Sequence, residues 1–204
     1  ERNIKEIEEA ILNIGPDNLC AFVGETQLGS LIGDIPAAKG YWEKIGLLAK
    51  KYDFHIILDE VYCGMGRSGK LFSYSWDNFS PDFVCIAKNM TSGHVPLSAI
   101  VTKSKFQDII ANGSGRIQIG HTFQGHSLGI AACAALMNVI EEEDLLKRIN
   151  IKGEYMRKIL QTELGTNPFY KNIRGRGYIF SLEHKCSNNH LFGLQLHKKM
   201  KEEF

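Results

Sequence analysis

Apolar residues in the opening segment NIKEIEEAILN recur at helical spacing among Lys and Glu, which predicts a surface helix over about residues 3–13. Gly15-Pro16-Asp17-Asn18 stops it and introduces a buried strand around residues 20–24. A second helix is expected over about residues 39–52, and the short continuous apolar run 55–58 reads as a parallel strand covered on both faces. The alternation continues with strand-like runs at 83–87 and 97–102 and helical patterns at 105–111 and 128–142. Strands separated by helices predict an α/β layered sheet. A further long helix over about 144–164 leads to residues 169–182, which alternate as antiparallel strands, and then to a terminal helical pattern. That change of pattern divides the chain into residues 1–144, part of a large α/β domain, and residues 145–204, the start of a smaller α+β domain.

Composition narrows the classes of function. The chain has 204 residues, 44% hydrophobic and 23% charged, enough to bury a substantial core. A formal charge of +1 supplies no field for nucleic acid, and no run is long and apolar enough to cross a bilayer. Small molecules are the better partners. The five cysteines, Cys20, Cys63, Cys85, Cys133 and Cys186, show no CxxC pairing, and four lie in apolar surroundings, which fits buried thiols in a reducing cytoplasm. The chain opens without a methionine and ends in a helical pattern with no stop signal, so it reads as a piece of something longer.

The chemistry centres on Lys88 and Asp59. Lys88 follows the apolar run Asp82-Phe-Val-Cys-Ile-Ala87, where partial desolvation would favour the neutral, nucleophilic amine. Taken alone it reads as an ordinary solvated lysine. Asp59 follows the strand Ile56-Ile57-Leu58, at the edge where open α/β sheets place ligands, and its carboxylate could keep a pyridine nitrogen protonated. Asp59-Glu60 could equally solvate a loop or cap a helix. A P-loop is the competing reading, since Gly64-Met-Gly-Arg-Ser-Gly69-Lys70 fits GxxxxGK. It fails because Leu71 stands where a Mg²⁺-binding hydroxyl is required and the stretch trails the Asp-Glu pair. His94, His121, His126 and His184 lack zinc spacing and read as loop or packing residues, so no metal site is expected.

The segment IILDEVYCGMGRSGKLFSYSWDNFSPDFVCIAKNMTSG, residues 56–93, resembles the signature of class III aminotransferases, which are fold-type I pyridoxal-phosphate (PLP) enzymes. Gly40-Tyr41-Trp42 with its helix, the block GHTFQGHSLGIAACAALMNVIEEE and Ile173-Arg-Gly-Arg-Gly-Tyr-Ile-Phe resemble further blocks of that family. The resemblance implies an incomplete large PLP-binding domain of mostly parallel sheet with helices on both faces, followed by part of a small domain. It further implies that Lys88 forms the Schiff base with pyridoxal 5'-phosphate, that Asp59 pairs with the pyridinium nitrogen and that Val61 packs on the ring. Thr122 would bind the cofactor phosphate of the other subunit in a homodimer with shared active sites; read from the residues alone, it is a turn or cap hydroxyl.

Glu25 is the substrate-proximal candidate, in Glu25-Thr-Gln-Leu-Gly29 where the family has Glu-Pro-x-Gln-Gly. Thr26 replaces that proline, and Ser30 stands where the γ-aminobutyrate branch has a glutamate. The family's phosphate cup and its substrate-gripping C-terminal arginine have no counterpart among these residues. The implied reaction moves an amino group from an amine or amino acid to a keto acid. Aminomutase, racemase or decarboxylase chemistry on the same pair, or an inactive truncated homologue serving as an interaction module, are the alternatives.

Overall fold

Three of the short apolar runs become a parallel array because each packs apolar side chains on one side, fully buried in the second and third and partly buried in the first. The computed structural model describes residues 2–29, 32–185 and 192–203; Ser30 and Cys186 lie outside them. Helix α1 (Arg2–Ile14) precedes β1 (Ala21–Glu25), α2 (Tyr41–Tyr52) and β2 (His55–Asp59). Then come β3 (Phe83–Ile86), β4 (Ala99–Thr102), α3 (Ser104–Asn112) and α4 (Ser127–Glu142). Helix α5 (Leu145–Leu164), the strands β5 (Tyr170–Arg176) and β6 (Ile179–His184), and α6 (Phe192–Glu203) complete the described chain.

The main sheet has the order β1-β2-β3-β4, with β1, β2 and β3 parallel and β4 antiparallel to β3. The reversal at β4 has a physical cause: residues 87–98 form a single 3-10 turn and loop, too little chain for the crossover that a parallel neighbour needs. On one face Ile56, Leu58, Val84 and Ile86 are buried against Trp42, Ile45 and Leu48 of α2 and Ile11 of α1. Cys133 and Met137 of α4 pack on the same core. Burial at this density stabilises by roughly 1.5–3 kcal/mol for each large aliphatic side chain.

Trp42 anchors α2. It is 1% exposed, stacks on Phe79 with ring centroids 5.5 Å apart and meets Phe22 edge-on at 6.1 Å. Gly24 in β1 lies beneath it, where a Cβ would come within 2.9 Å of the indole.

The register pairs give the opposite face two cross-strand rows, Val23-Ile57-Phe83-Thr102 and Glu25-Asp59-Cys85-Ile100. Phe106 of α3 covers the first row at one end, packing on Phe83 at 4.5 Å and His55 at 5.2 Å. The remainder is open: Val23 is 63% and Ile100 68% exposed.

Strands β5 and β6 form a separate antiparallel pair. Their connecting turn is held by the GMGRSG segment, with Tyr178 N donating to Arg67 O at 3.1 Å. Gly177, at φ 56°, packs so close that a Cβ would lie 2.6 Å from Arg67 O. Asn150 of α5 donates to Gly69 O at 2.8 Å, and Gln27 Nε2 donates to Ile179 O at 3.1 Å. The segment that fits GxxxxGK is therefore a turn that docks the second sheet, and no helix follows it as a P-loop requires.

The expected burial of the thiols is corrected in part. Among the described residues Cys63 is buried, Cys85 and Cys133 are half-buried, and Cys20 is exposed because it precedes β1 at the sheet edge.

Trp42→Ala removes the stack and leaves a cavity beneath α2, and should cost about 3–5 kcal/mol of stability. Urea unfolding followed by circular dichroism measures it, and a loss below about 1 kcal/mol would show that Trp42 does not anchor this layer.

Candidate functional site

Glu25 and Asp59 are the last residues of β1 and β2 and are paired in register, with Cys85 of β3 opposite Asp59. All three lie on the partly uncovered face, at the C-terminal edge of the parallel strands. Asp59 is exposed, and its Oδ1 accepts a hydrogen bond from Val61 N at 3.0 Å, so the chain turns sharply and leaves Val61 half-buried beside it. Burial, and after it the neighbouring Asp59 carboxylate, pushes the Cys85 thiol up from its ordinary pKa.

Lys88 begins a 3-10 turn (Lys88–Met90) that follows β3, the strand next to Asp59. Its φ of 43° is in the left-handed region, which a residue with a Cβ rarely adopts. The turn is closed by Met90 N donating to Ala87 O at 3.0 Å and flanked by Arg67 Nε donating to Asn89 Oδ1 at 3.1 Å. The sequence led us to expect a desolvated amine, but Lys88 is exposed. The turn carries the residue off the end of the strand, and none of the described elements buries it. Its Nζ lies 5.6 Å from the centroid of the Tyr62 ring.

On its other side Lys88 lines an open cavity of about 840 Å³ with the 93–98 loop and His121, Phe123 and His126. Thr122 lies between two of those residues, in the turn closed by Gln124 N donating to His121 O at 2.9 Å, yet is not part of the cavity wall. It is exposed. The structure thus brings Lys88, Asp59, Val61 and Glu25 to adjacent strand ends, and puts Thr122 in the exposed turn whose flanking residues His121 and Phe123 line the cavity with Lys88.

Beneath this edge lies a residue whose part the sequence left open. Glu60 is 1% exposed, and its carboxylate accepts from Ser73 N at 2.7 Å, Tyr74 N at 2.6 Å and the Thr26 hydroxyl at 3.2 Å. It caps the 3-10 turn Ser73–Trp76 and braces the strand end that carries Asp59. Burial raises its pKa, and those three hydrogen bonds oppose the rise. Thr26, which takes the place of the family's proline, thereby has a function a proline could not serve.

Tyr62 and Asp34 were also missed. The Tyr62 hydroxyl donates to Asp34 Oδ1 at 3.0 Å, a contact across 28 positions that no local pattern announces. Two of the four candidate histidines bond locally: His126 Nδ1 accepts from Gly129 N at the start of α4, and His94 Nδ1 meets Thr91 O. Among the described residues no group of three His, Cys, Asp or Glu side chains could hold a metal, and no helix is long and apolar enough to cross a membrane.

Residues 1–203 match the family described as aminotransferase class-III, and the chain belongs to that family. Among curated relatives, an aminotransferase of Gibberella zeae is 38% identical over 178 residues, 87% of this chain and 35% of that protein. The diaminobutyrate–2-oxoglutarate transaminase of Halomonas elongata is 37% identical over 181 residues, 87% of this chain and 38% of that protein. The taurine:2-oxoglutarate aminotransferase of Bifidobacterium kashiwanohense, solved with PLP and glutamate, superposes with a TM-score of 0.87 at 27% identity, covering 98% of this chain and 47% of that one. The fold is accordingly the α/β fold of the PLP-dependent transaminases. This chain spans less than half the length of each of these relatives.

The buried carboxyl gives a pH signature. Because burial raises its folded-state pKa, native Glu60 retains a proton that the unfolded chain has already released. Stability should therefore fall as pH rises from the ordinary glutamate value of about 4.3 through the raised one. Glu60→Gln should flatten that part of the profile while costing about 1–3 kcal/mol through lost hydrogen bonds. Urea unfolding at about pH 5 and about pH 8 measures both, and equal slopes in the two proteins would show that Glu60 does not titrate on unfolding.

Proposed function

We propose that the protein to which these residues belong is a PLP-dependent aminotransferase that takes an amino group from an amine or amino acid and passes it to a keto acid. The observation that carries this reading is the delivery of one primary amine, Lys88, and one carboxylate, Asp59, to the C-terminal ends of two adjacent parallel strands. That donor set suits PLP, which offers an aldehyde to an amine and a ring nitrogen to an acid, and the apolar Val61 beside Asp59 suits a ring face. The cofactor supplies an electron sink that stabilises negative charge at a substrate's α-carbon.

Around it the chain's own groups divide the work. Lys88 Nζ would hold the cofactor by its aldehyde, and the same amine, once free, would be placed to take and return the proton of a substrate's α-carbon. The Asp59 carboxylate keeps the ring nitrogen protonated by pairing with its charge. Val61 packs on the ring, and Glu25, one strand over from Asp59, stands near the substrate.

We infer that Thr122 serves a second copy of the chain, giving its hydroxyl to the phosphate of that subunit's cofactor. Its exposure supports this, as do the exposed apolar residues around it, among them Ile119, Phe123 and Leu128. We also place a domain boundary after residue 144, where α5 leads away to the separate β5–β6 pair.

In the complete protein incubated with PLP, a yellow band that borohydride fixes on Lys88 is expected, and Lys88→Ala should lose it. A band that survives that substitution would overturn the proposal. Thr122→Val should weaken PLP binding by one charge-assisted hydrogen bond, about 1.5–3 kcal/mol, or about 10–100-fold in Kd, without changing the dimer seen by sedimentation. Unchanged affinity would remove the shared phosphate site.

A further inference from the structure

The Nζ of Lys88 lies 5.6 Å from the centroid of the Tyr62 ring, a neighbour with electrostatic consequence. An ammonium within about 6 Å of an aromatic face is held there by roughly 0.5–1 kcal/mol at an accessible site. Tyr62 is itself fixed from behind. Its hydroxyl donates to Asp34 Oδ1 at 3.0 Å, and burial, followed by that bond, raises its pKa and keeps it a neutral donor. Its ring edge lies against Gly29, where a Cβ would come within 3.7 Å of Cδ1 and 3.6 Å of Glu25 Oε2.

Asp34 is 4% exposed with φ 55°, and its other carboxylate oxygen accepts from the Ser181 hydroxyl in β6. The preceding Gly33, at φ 83°, is packed so tightly on Arg174 of β5 that a Cβ there would collide with the guanidinium. The second sheet thus seats Asp34, Asp34 seats Tyr62, and Tyr62 offers its ring to the lysine.

We propose that Tyr62 is a positioning residue for Lys88, oriented by Asp34 and Ser181, so that the aim of the lysine depends on the docking of the β5–β6 hairpin. The contact restrains Lys88 in the protein without cofactor. For its consequence in catalysis this rests on the PLP reading; the restraint itself does not.

Two measurements on the complete protein separate the two. Labelling of the cofactor-free protein by trinitrobenzenesulfonate, read by mass spectrometry as the rate at Lys88 relative to exposed Lys44 on α2, reports restraint alone. Tyr62→Leu should raise that ratio about 2–5-fold, the worth of the lost ring contact. Tyr62→Phe, which keeps the ring but frees it from Asp34, should raise it less, and Ser181→Ala should move it in the same direction. Attachment of PLP to Lys88, followed by its absorbance band, should slow in the same variants, because a freer amine is also a worse-aimed one.

Opposite changes in the two rates are not expected of general loosening, which would speed labelling at Lys44 as well. An unchanged ratio in a Tyr62→Leu protein with unaltered melting temperature, or an equal rise at both lysines, would overturn the proposal. Should Tyr62→Leu fail to fold, the Phe and Ser181 variants decide it on the same ratio. Wild-type protein that attaches no PLP would overturn the cofactor reading and leave the labelling ratio to decide the role of Tyr62.

Discussion

The placement of every candidate group depends on the register of β2 against β3. The paired residues are Ile57 with Phe83, Leu58 with Val84 and Asp59 with Cys85. Side chains alternate between faces, so a slip by one residue would turn Leu58 outward and drive Asp59 into the core. Leu58 is fully buried and Ile56 nearly so, and exposing two such side chains costs on the order of 1.5–3 kcal/mol each. Burying an unpaired carboxylate costs more still. The buried apolar residues that precede Asp59 in the pleat, Ile56 and Leu58, hold it to this face, and its bond from Val61 N turns the chain there.

The same alternation separates two acids that are adjacent in the chain. Asp59 faces the open side, and Glu60 turns under the strand end into a closed site. A buried carboxylate survives only with donors to satisfy it, and Glu60 has two backbone N–H groups and the Thr26 hydroxyl. Those donors come from the exits of β1 and from the 73–76 turn, so the group that is costly to bury also ties three segments together directly below Asp59. The open acid is free for chemistry because the closed one fixes the ground it stands on.

Much of this could be read from the residues. Short parallel strands with a buried face appear as unbroken apolar runs, so 55–58 and 83–87 announced β2 and β3, and with them the edge where Asp59 and Lys88 sit. The direction of β4 was not readable, since strand polarity follows from how much chain lies between two strands and what covers them. Nor was the exposure of Lys88, because desolvation depends on neighbours in space rather than on the apolar run before it. Tyr62, Asp34 and Ser181 left no trace at all: their bonds span 28 and 147 positions, and each residue alone is unremarkable in its local sequence. Thr26 was visible only as a departure from the family pattern, and its partner Glu60 supplied the reason.

The site is built from below and open above. Everything that fixes its geometry lies on the buried side or behind the strand ends: Trp42 against β1, Glu60 under β2, and the β5–β6 hairpin behind Tyr62. On the other side Val23 and Ile100 stand bare in the very rows that carry Ile57, Glu25 and Asp59. Parallel strands are stable where both faces are covered, and an apolar face beside a carboxylate and an amine is also the chemistry that an aromatic ring with one basic nitrogen would match. These two requirements are met by the same surface. Structure on the closed side sets where the candidate groups stand, so what comes to rest on the open side can be selected by shape and charge without having to organise the groups it meets.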